Sequence, residues 1–149
     1  ILRSANRRFR ELSAGQFELR MVGAGEAGAG KNRGLDLLVY STVTGKEREV
    51  RTLSGGESFL AALSLALGMA DQICRSSSVI HLDMMFIDEG FGSLDDHSRA
   101  EAVRILRSMA GSERLIGIIS HVTELKQEIE DQLVVTRGED GSSVRWQLS

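Results

Sequence analysis

The chain has 149 residues, of which 42% are hydrophobic and 26% charged, and a formal charge of −3. It is long and apolar enough for one domain with a sizeable core, which excludes a disordered tail. The negative balance excludes a generally basic nucleic-acid binder, so any DNA contact must come from a local patch. Cys74 is the single cysteine; it cannot form an internal disulfide, which fits a reducing, cytoplasmic setting. The apolar runs read as shorter than the roughly 20 residues that span a bilayer, so no membrane contact is expected. No signal-peptide pattern is present. The chain begins Ile1-Leu2-Arg3 rather than with Met, as if cut from something longer, and it lacks proline.

Residues 1–14 read as a helix. Ile1, Ala5, Phe9 and Leu12 form one narrow stripe, and Arg3, Arg7, Arg8 and Arg10 fill the other faces. That is a solvated amphipathic helix, or the end of a coiled-coil arm with arginines available for phosphates. Gly15 breaks it. Gln16–Val22 alternates in polarity and reads as a strand. Gly23–Gly34 is a glycine-rich loop, Leu35–Val43 a second strand, Thr44-Gly45-Lys46 a turn and Glu47–Thr52 a third strand. The expected result is an antiparallel meander.

From Leu53 the pattern changes to alternating helix and strand. Glu57–Cys74 reads as a helix on Leu60, Leu63, Leu67, Ala70 and Cys74. Ile80–Asp88 is a strand whose last part is apolar on both faces, as in a buried parallel sheet. Asp96–Ala110 is a helix on Val103, Leu106 and Met109, ended by Gly111. Leu115–Ser120 is a second buried strand and Val122–Asp131 a helix. Gln132–Arg137 and Ser143–Leu148 form a closing hairpin across Gly138-Glu139-Asp140-Gly141. Parallel strands with helical crossovers follow from this order, so the fold class is α/β.

Four stretches carry chemistry. Ser54-Gly55-Gly56-Glu57 is a Ser-x-x-Glu capping box, which by itself starts a helix. Two consecutive glycines are not needed for that and cost backbone entropy. They would let a helix N-terminus, with its free N–H groups and positive dipole end, approach an anion such as a phosphate. Both readings stand. Met84–Ile87 ends in Asp88-Glu89, and acids at the carboxyl end of a buried strand sit where open α/β sheets bind ligands. Adjacent residues on a strand end point in different directions, so one carboxylate can serve a metal and the other a water. Gly90–Asp95 follows, a glycine loop with Asp95 as N-cap of the next helix. His121 follows the strand expected to lie beside the one ending in Asp88. His81, His97 and Asp83 have no such context.

Gly25-Glu26-Ala27-Gly28-Ala29-Gly30-Lys31-Asn32 nearly matches the phosphate-binding pattern Gly-x4-Gly-Lys-Ser/Thr. Asn32 replaces the hydroxyl that would bind Mg²⁺. The strand before it alternates in polarity, and Leu35–Tyr40 after it is strand-like, whereas a P-loop must feed a helix. A hairpin loop is the better reading.

Taken together, Thr52–Phe59 (Thr-Leu-Ser-Gly-Gly-Glu-Ser-Phe), Phe86–Asp95 (Phe-Ile-Asp-Glu-Gly-Phe-Gly-Ser-Leu-Asp) and Ile119–Val122 (Ile-Ser-His-Val) resemble the C-terminal lobe of an ABC-type ATPase. The superfamily is that of the structural-maintenance-of-chromosomes proteins, and the likeness is greatest to the SbcC DNA-repair ATPases. It covers nearly the whole chain after Gly15. The resemblance implies residues 1–14 as the end of a coiled-coil arm and 15–149 as the lobe. It implies Asp88 as Walker B ligand to Mg²⁺, Glu89 as general base for water and His121 as the switch histidine at the γ-phosphate of ATP. Ser54, Gly55, Gly56 and Glu57 would be the signature motif. Ser54, Gly55, Gly56 and Asp95 (of the D-loop) would reach across to the ATP of a second head in a homodimer. Further implied partners are an N-terminal Walker A lobe of the same protein, the SbcD nuclease and double-stranded DNA ends. Such a lobe alone is expected not to hydrolyse ATP, because nothing in it cradles the β-phosphate.

The alternatives are another ABC ATPase (RecN-like, condensin-like or, less well matched, a transporter component), a self-contained nucleotide binder using Lys31, and a non-catalytic DNA-binding or docking module built on the Arg-rich first helix.

Overall fold

In a computed structural model, residues 1–22, 37–76, 82–110 and 114–148 are described. The glycine-rich loop with Lys31, the residue His81 and the helix stop at Gly111 therefore lie outside the described residues.

Helix α1 spans Leu2–Leu12 and buries Ala5, Phe9 and Leu12. Ile1 precedes the helix and is exposed, so the stripe is one residue shorter than its sequence suggests. α1 ends in a left-handed pair, Ala14 (φ 48°) and Gly15 (φ 79°), with the Ala14 N–H donating to the Glu11 carbonyl at 3.4 Å and the Gly15 N–H to the Arg10 carbonyl at 2.7 Å. The chain then turns into the antiparallel sheet β1 (Phe17–Met21), β2 (Leu37–Ser41) and β3 (Lys46–Glu49), in that order. Leu19 faces Val39 across the ladder, and both are buried. Asn6 ties α1 to this sheet: its Oδ1 accepts the Leu19 N–H at 2.7 Å and its Nδ2 donates to the Leu19 carbonyl at 2.8 Å. The third strand is shorter than expected. A 3-10 turn at Val50–Thr52 replaces its end, closed by the Leu53 N–H on the Val50 carbonyl and the Thr52 hydroxyl on the Glu49 carbonyl.

Helix α2 runs from Gly55 to Ser76. It buries Leu60, Ala61, Leu63, Ser64, Leu67, Gly68 and Ala70, so its apolar face is the spine of the core. Gly68 lets α1 come close. A Cβ there would stand 2.6 Å from the Ala5 backbone nitrogen. Contrary to expectation, this helix is long and apolar enough to cross a membrane by length and composition. Its apolar face is taken up by packing on α1 and on the core.

Strands β4 (Met84–Asp88) and β5 (Leu115–Ile119) pair in parallel, with α3 (Asp96–Met109) between them in sequence. Both strands were expected to be buried on both faces, and they are not. Met85, Ile87, Ile116 and Ile118 pack on the core. Met84, Phe86, Leu115 and Ile119 lie exposed on the other face, at 56, 61, 54 and 54%. The Phe86 ring lies over Gly117, where a Cβ would come within 2.5 Å of it.

The expected helix at Val122–Asp131 is a single turn, α4 (Leu125–Glu128). Val122 and Leu125 are buried, but Ile129 is already extended and leads into the next strand. The hairpin β6 (Gln132–Gly138) and β7 (Gly141–Gln147) pairs Gly138 with Gly141, which leaves a two-residue turn at Glu139-Asp140 rather than the expected four. Leu133, Val135, Val144 and Trp146 are exposed on it.

Candidate functional site

The capping box forms as a reciprocal pair. The Ser54 N–H donates to Glu57 Oε2 at 2.8 Å, and the Glu57 N–H donates to the Ser54 hydroxyl at 3.2 Å. Arg48 on β3 takes the other carboxylate oxygen, Nη2 to Oε1 at 2.9 Å. Partial burial pushes the Glu57 carboxyl up, but the hydrogen bonds from the Ser54 backbone and from Arg48 outweigh this and hold it below its ordinary value. Both Glu57 oxygens are thus engaged in holding the N-terminus of α2.

The two glycines that follow Ser54 differ. A Cβ on Gly56 would stand 2.7 Å from the Ser93 carbonyl oxygen, so glycine there is required by packing inside the chain. A Cβ on Gly55 would meet nothing closer than Ser93 Cβ at 3.5 Å, an ordinary contact. Gly55 is exposed and nothing internal demands a glycine. The anion reading of the pair therefore rests on Gly55.

Asp95 caps α3. Its Oδ1 accepts the Ser98 N–H at 2.9 Å and its Oδ2 the Ser98 hydroxyl at 2.8 Å. These bonds, the backbone one foremost, hold the exposed Asp95 carboxyl below its ordinary value. Ser54, Gly56, Glu57, Ser93, Leu94 and Asp95 border one cleft of about 520 Å³, together with the end of α1 and the first turns of α3.

The second group sits at the ends of the parallel strands. Asp88 ends β4 opposite Ile119 of β5, and the Glu89 N–H continues the ladder onto the Ile119 carbonyl at 2.9 Å. Glu89 is left-handed, φ 61°, and so is Gly90 at 99°. A residue other than glycine pays roughly 1–2 kcal/mol for that conformation. Such strain persists only where surroundings enforce it, and it clusters at functional sites. The turn brings Glu89 to His121, whose Nδ1 lies 3.0 Å from the carboxylate. Asp88 is exposed and enters no ion pair among the described residues. Among them no three His, Cys, Asp or Glu side chains converge on one point. Mg²⁺ does not require that, since it keeps its waters and takes one or two carboxylates plus phosphate oxygens. A free carboxylate at a strand end fits it.

Glu89 and His121 thus come together beside Asp88. Ser54, Gly55, Gly56, Glu57 and Asp95 come together separately, around Ser93. The 3-10 turn Phe91–Ser93 lies between the groups. Sequence reasoning missed Arg48 as the partner of Glu57, a contact across elements that no local pattern reveals. It also missed Ser98, which the Asp-x-x-Ser spacing could have found.

A family described as SbcC/RAD50-like, Walker B motif, matches residues 33–108, about half of the chain. The chain belongs to this family. The SbcC component of the nuclease SbcCD from Vibrio cholerae is 47% identical over 145 residues, covering 97% of this chain and 14% of that protein. Its counterpart from Treponema pallidum is 46% identical over 140 residues, covering 94% of this chain and 13% of that one. The chain therefore spans about one seventh of the length of these curated relatives. The fold is that of SMC ATPase heads. A solved structure described under ATP-driven dimerization and DNA-stimulated activation of SMC ATPases superposes with a TM-score of 0.69 at 16% identity, covering 97% of this chain and 84% of that one.

Proposed function

We propose that residues 15–149 form the C-terminal lobe of an SbcC-type ATPase head and residues 1–14 the root of a coiled-coil arm. A separate N-terminal lobe would bring the Walker A loop. The observation that carries this is the Glu89–His121 pair, held at 3.0 Å beside Asp88 by a strained left-handed turn. Asp88 would hold Mg²⁺, which would neutralise charge on the phosphates when bound. Glu89 takes a proton from the attacking water. His121 orients the Glu89 carboxylate and reaches the γ-phosphate. Gly55 and Ser54, on the other group, receive the nucleotide of a second head through the N-terminus of α2. Glu57 serves this by fixing that N-terminus, and Asp95 by fixing the turn before α3. ATP is then shared between two heads and holds them together, and hydrolysis releases them. The exposed row Met84, Phe86, Leu115 and Ile119 supports a covering lobe, because large apolar side chains side by side on a strand pair mark a contact surface.

The relatives are named as parts of a nuclease. By that likeness the head works in the cytoplasm with an SbcD nuclease on double-stranded DNA ends, opening and closing to gate it.

The test is calorimetric titration of Mg-ATP into the chain alone and then with the N-terminal lobe added. The expected result is no detectable binding alone, and ATP turnover once the lobes combine. Tight binding by the chain alone, lost on Lys31→Ala, would overturn the two-lobe reading.

A further inference from the structure

We propose that Phe59 is a positioning residue for Glu89, through which α2 sets the geometry of the hydrolytic turn; this rests on the proposed function above. Phe59 lies one helical turn after Gly55, about 6 Å along the axis. Its ring packs against Gly90. A Cβ built on Gly90 would stand 2.2 Å from both Phe59 Cδ2 and Cε2. The same ring meets Phe91 edge to face, with centroids 5.0 Å apart and an interplanar angle of 62°. Phe91 is fully buried and anchors the arrangement to the core.

The left-handed pair Glu89-Gly90 is fixed from three sides. The Glu89 N–H is bound to the Ile119 carbonyl at 2.9 Å. The Gly90 carbonyl accepts the Ser93 hydroxyl at 2.7 Å and the Ser93 N–H at 3.3 Å. The third restraint is the Phe59 ring on Gly90. The first two come from the strand ends and the turn itself. The third comes from a different element, and it is the element that begins at Gly55. Contact by Ser93 with both glycines reinforces the link at the other end, since Gly56 abuts its carbonyl.

A rigid helix therefore joins two places with different proposed tasks. Its N-terminus meets the phosphates carried by a second head, and Phe59, one turn on, presses on the residue after this head's own base. Docking of a phosphate at Gly55 shifts or stiffens the start of α2. The Phe59 ring passes that to Gly90 and so to the direction of the Glu89 carboxylate.

The test uses Phe59→Ala and the milder truncation Phe59→Leu, with two readouts. In this chain, NMR carbon shifts of Glu89 and Gly90 report the backbone conformation directly. Both variants are expected to move Glu89 away from left-handed values, while the amides of Leu63 and Leu67, further along α2, keep their positions. In the assembled head, kcat is expected to fall tenfold to a hundredfold, as for an angstrom-scale misplacement of a reacting group, with KM for ATP unchanged within about twofold. Left-handed Glu89 shifts retained in Phe59→Leu and Phe59→Ala overturn the proposal, whatever happens to turnover. Shifts that move while kcat stays constant support the positioning and remove Glu89 as the base, so failure of the proposed function is told apart from failure of this inference.

Discussion

Gly55 and Gly56 are adjacent and chemically identical, yet replacing each by alanine should change stability in opposite directions. At Gly56 the new Cβ would stand 2.7 Å from the Ser93 carbonyl oxygen, a backbone atom that cannot swing aside. The start of α2 must then lift off the Phe91–Ser93 turn, and overpacking of this kind costs about 1–3 kcal/mol. Relief of unfolded-state entropy returns about 0.4–1 kcal/mol of that. The net for Gly56→Ala is a loss of roughly 0–2.6 kcal/mol. At Gly55 the new Cβ finds only Ser93 Cβ at 3.5 Å, so the entropy gain stands alone and the chain is stabilised by about 0.4–1 kcal/mol. Urea unfolding of the chain followed by circular dichroism reads both. A shift of the two midpoints in the same direction would refute the reasoning, because it would mean that contact with Ser93 does not distinguish the glycines. On the proposed function, the same Gly55→Ala variant in the assembled head, although more stable, should lose ATP-driven dimerisation, since the methyl would stand in the way of the proposed phosphate at the helix N-terminus.

Three further outcomes follow from the site. Glu89→Gln in the assembled head should bind ATP yet hydrolyse it about 10²–10⁴-fold more slowly, the usual worth of a positioned base, and should accumulate as a closed dimer in gel filtration. Ser54→Arg should abolish the ATP-dependent dimer while leaving nucleotide binding to the Walker A lobe intact; a dimer that persists in light scattering would count against the cross-head role. Glu57 gives a pH dependence. Its carboxyl is held below its ordinary value of 4.5 in the folded chain, so its contribution is complete above that value and lost as pH falls through the folded one. The urea midpoint difference between the native chain and Glu57→Gln should be present at pH 7 and shrink below about pH 4.5.

The local signals in this sequence were legible because the physics behind them is local. The Ser54–Glu57 capping box, the Asp95 cap and the helix stop at Gly15 depend on residues within a few positions, and each is where its pattern puts it. The parallel pairing of β4 with β5 followed from the order of elements alone. What the sequence could not carry was tertiary. Gly56 and Gly90 look like loop or anion glycines, yet their missing side chains make room for Ser93 and Phe59. The end of β3 became a 3-10 turn because Thr52 and Leu53 fold back onto Glu49 and Val50. The run Met84–Ile87 carries the apolar pattern of a strand covered on both sides, and the fold covers it on one. Apolar periodicity reports what a strand is adapted to face, and here the adaptation exceeds what this chain supplies.

The Arg-rich first helix is the remaining feature with a competing explanation, and its ion pairs decide how it should behave. Arg7 and Arg8 both approach the same Asp71 oxygen on α2, at 3.6 and 3.7 Å, and Arg8 also meets Glu11 at 3.5 Å. Arg10 pairs with Glu18 on β1. The side chains of Arg8 and Asp71 are only 17 and 13% exposed, and Asp71 Oδ2 has no true hydrogen bond. These arginines therefore direct their charge at acids of the same chain, within a molecule whose formal charge is −3. Arg8→Ala should lower stability by roughly 1–3 kcal/mol, because it leaves a largely buried carboxylate with one distant partner. DNA affinity of the chain should be weak and barely altered by Arg7→Ala with Arg8→Ala. Tight DNA binding that falls steeply with salt and disappears in that double variant would reverse the conclusion, and would make α1 a phosphate-binding surface rather than a helix clamped to α2.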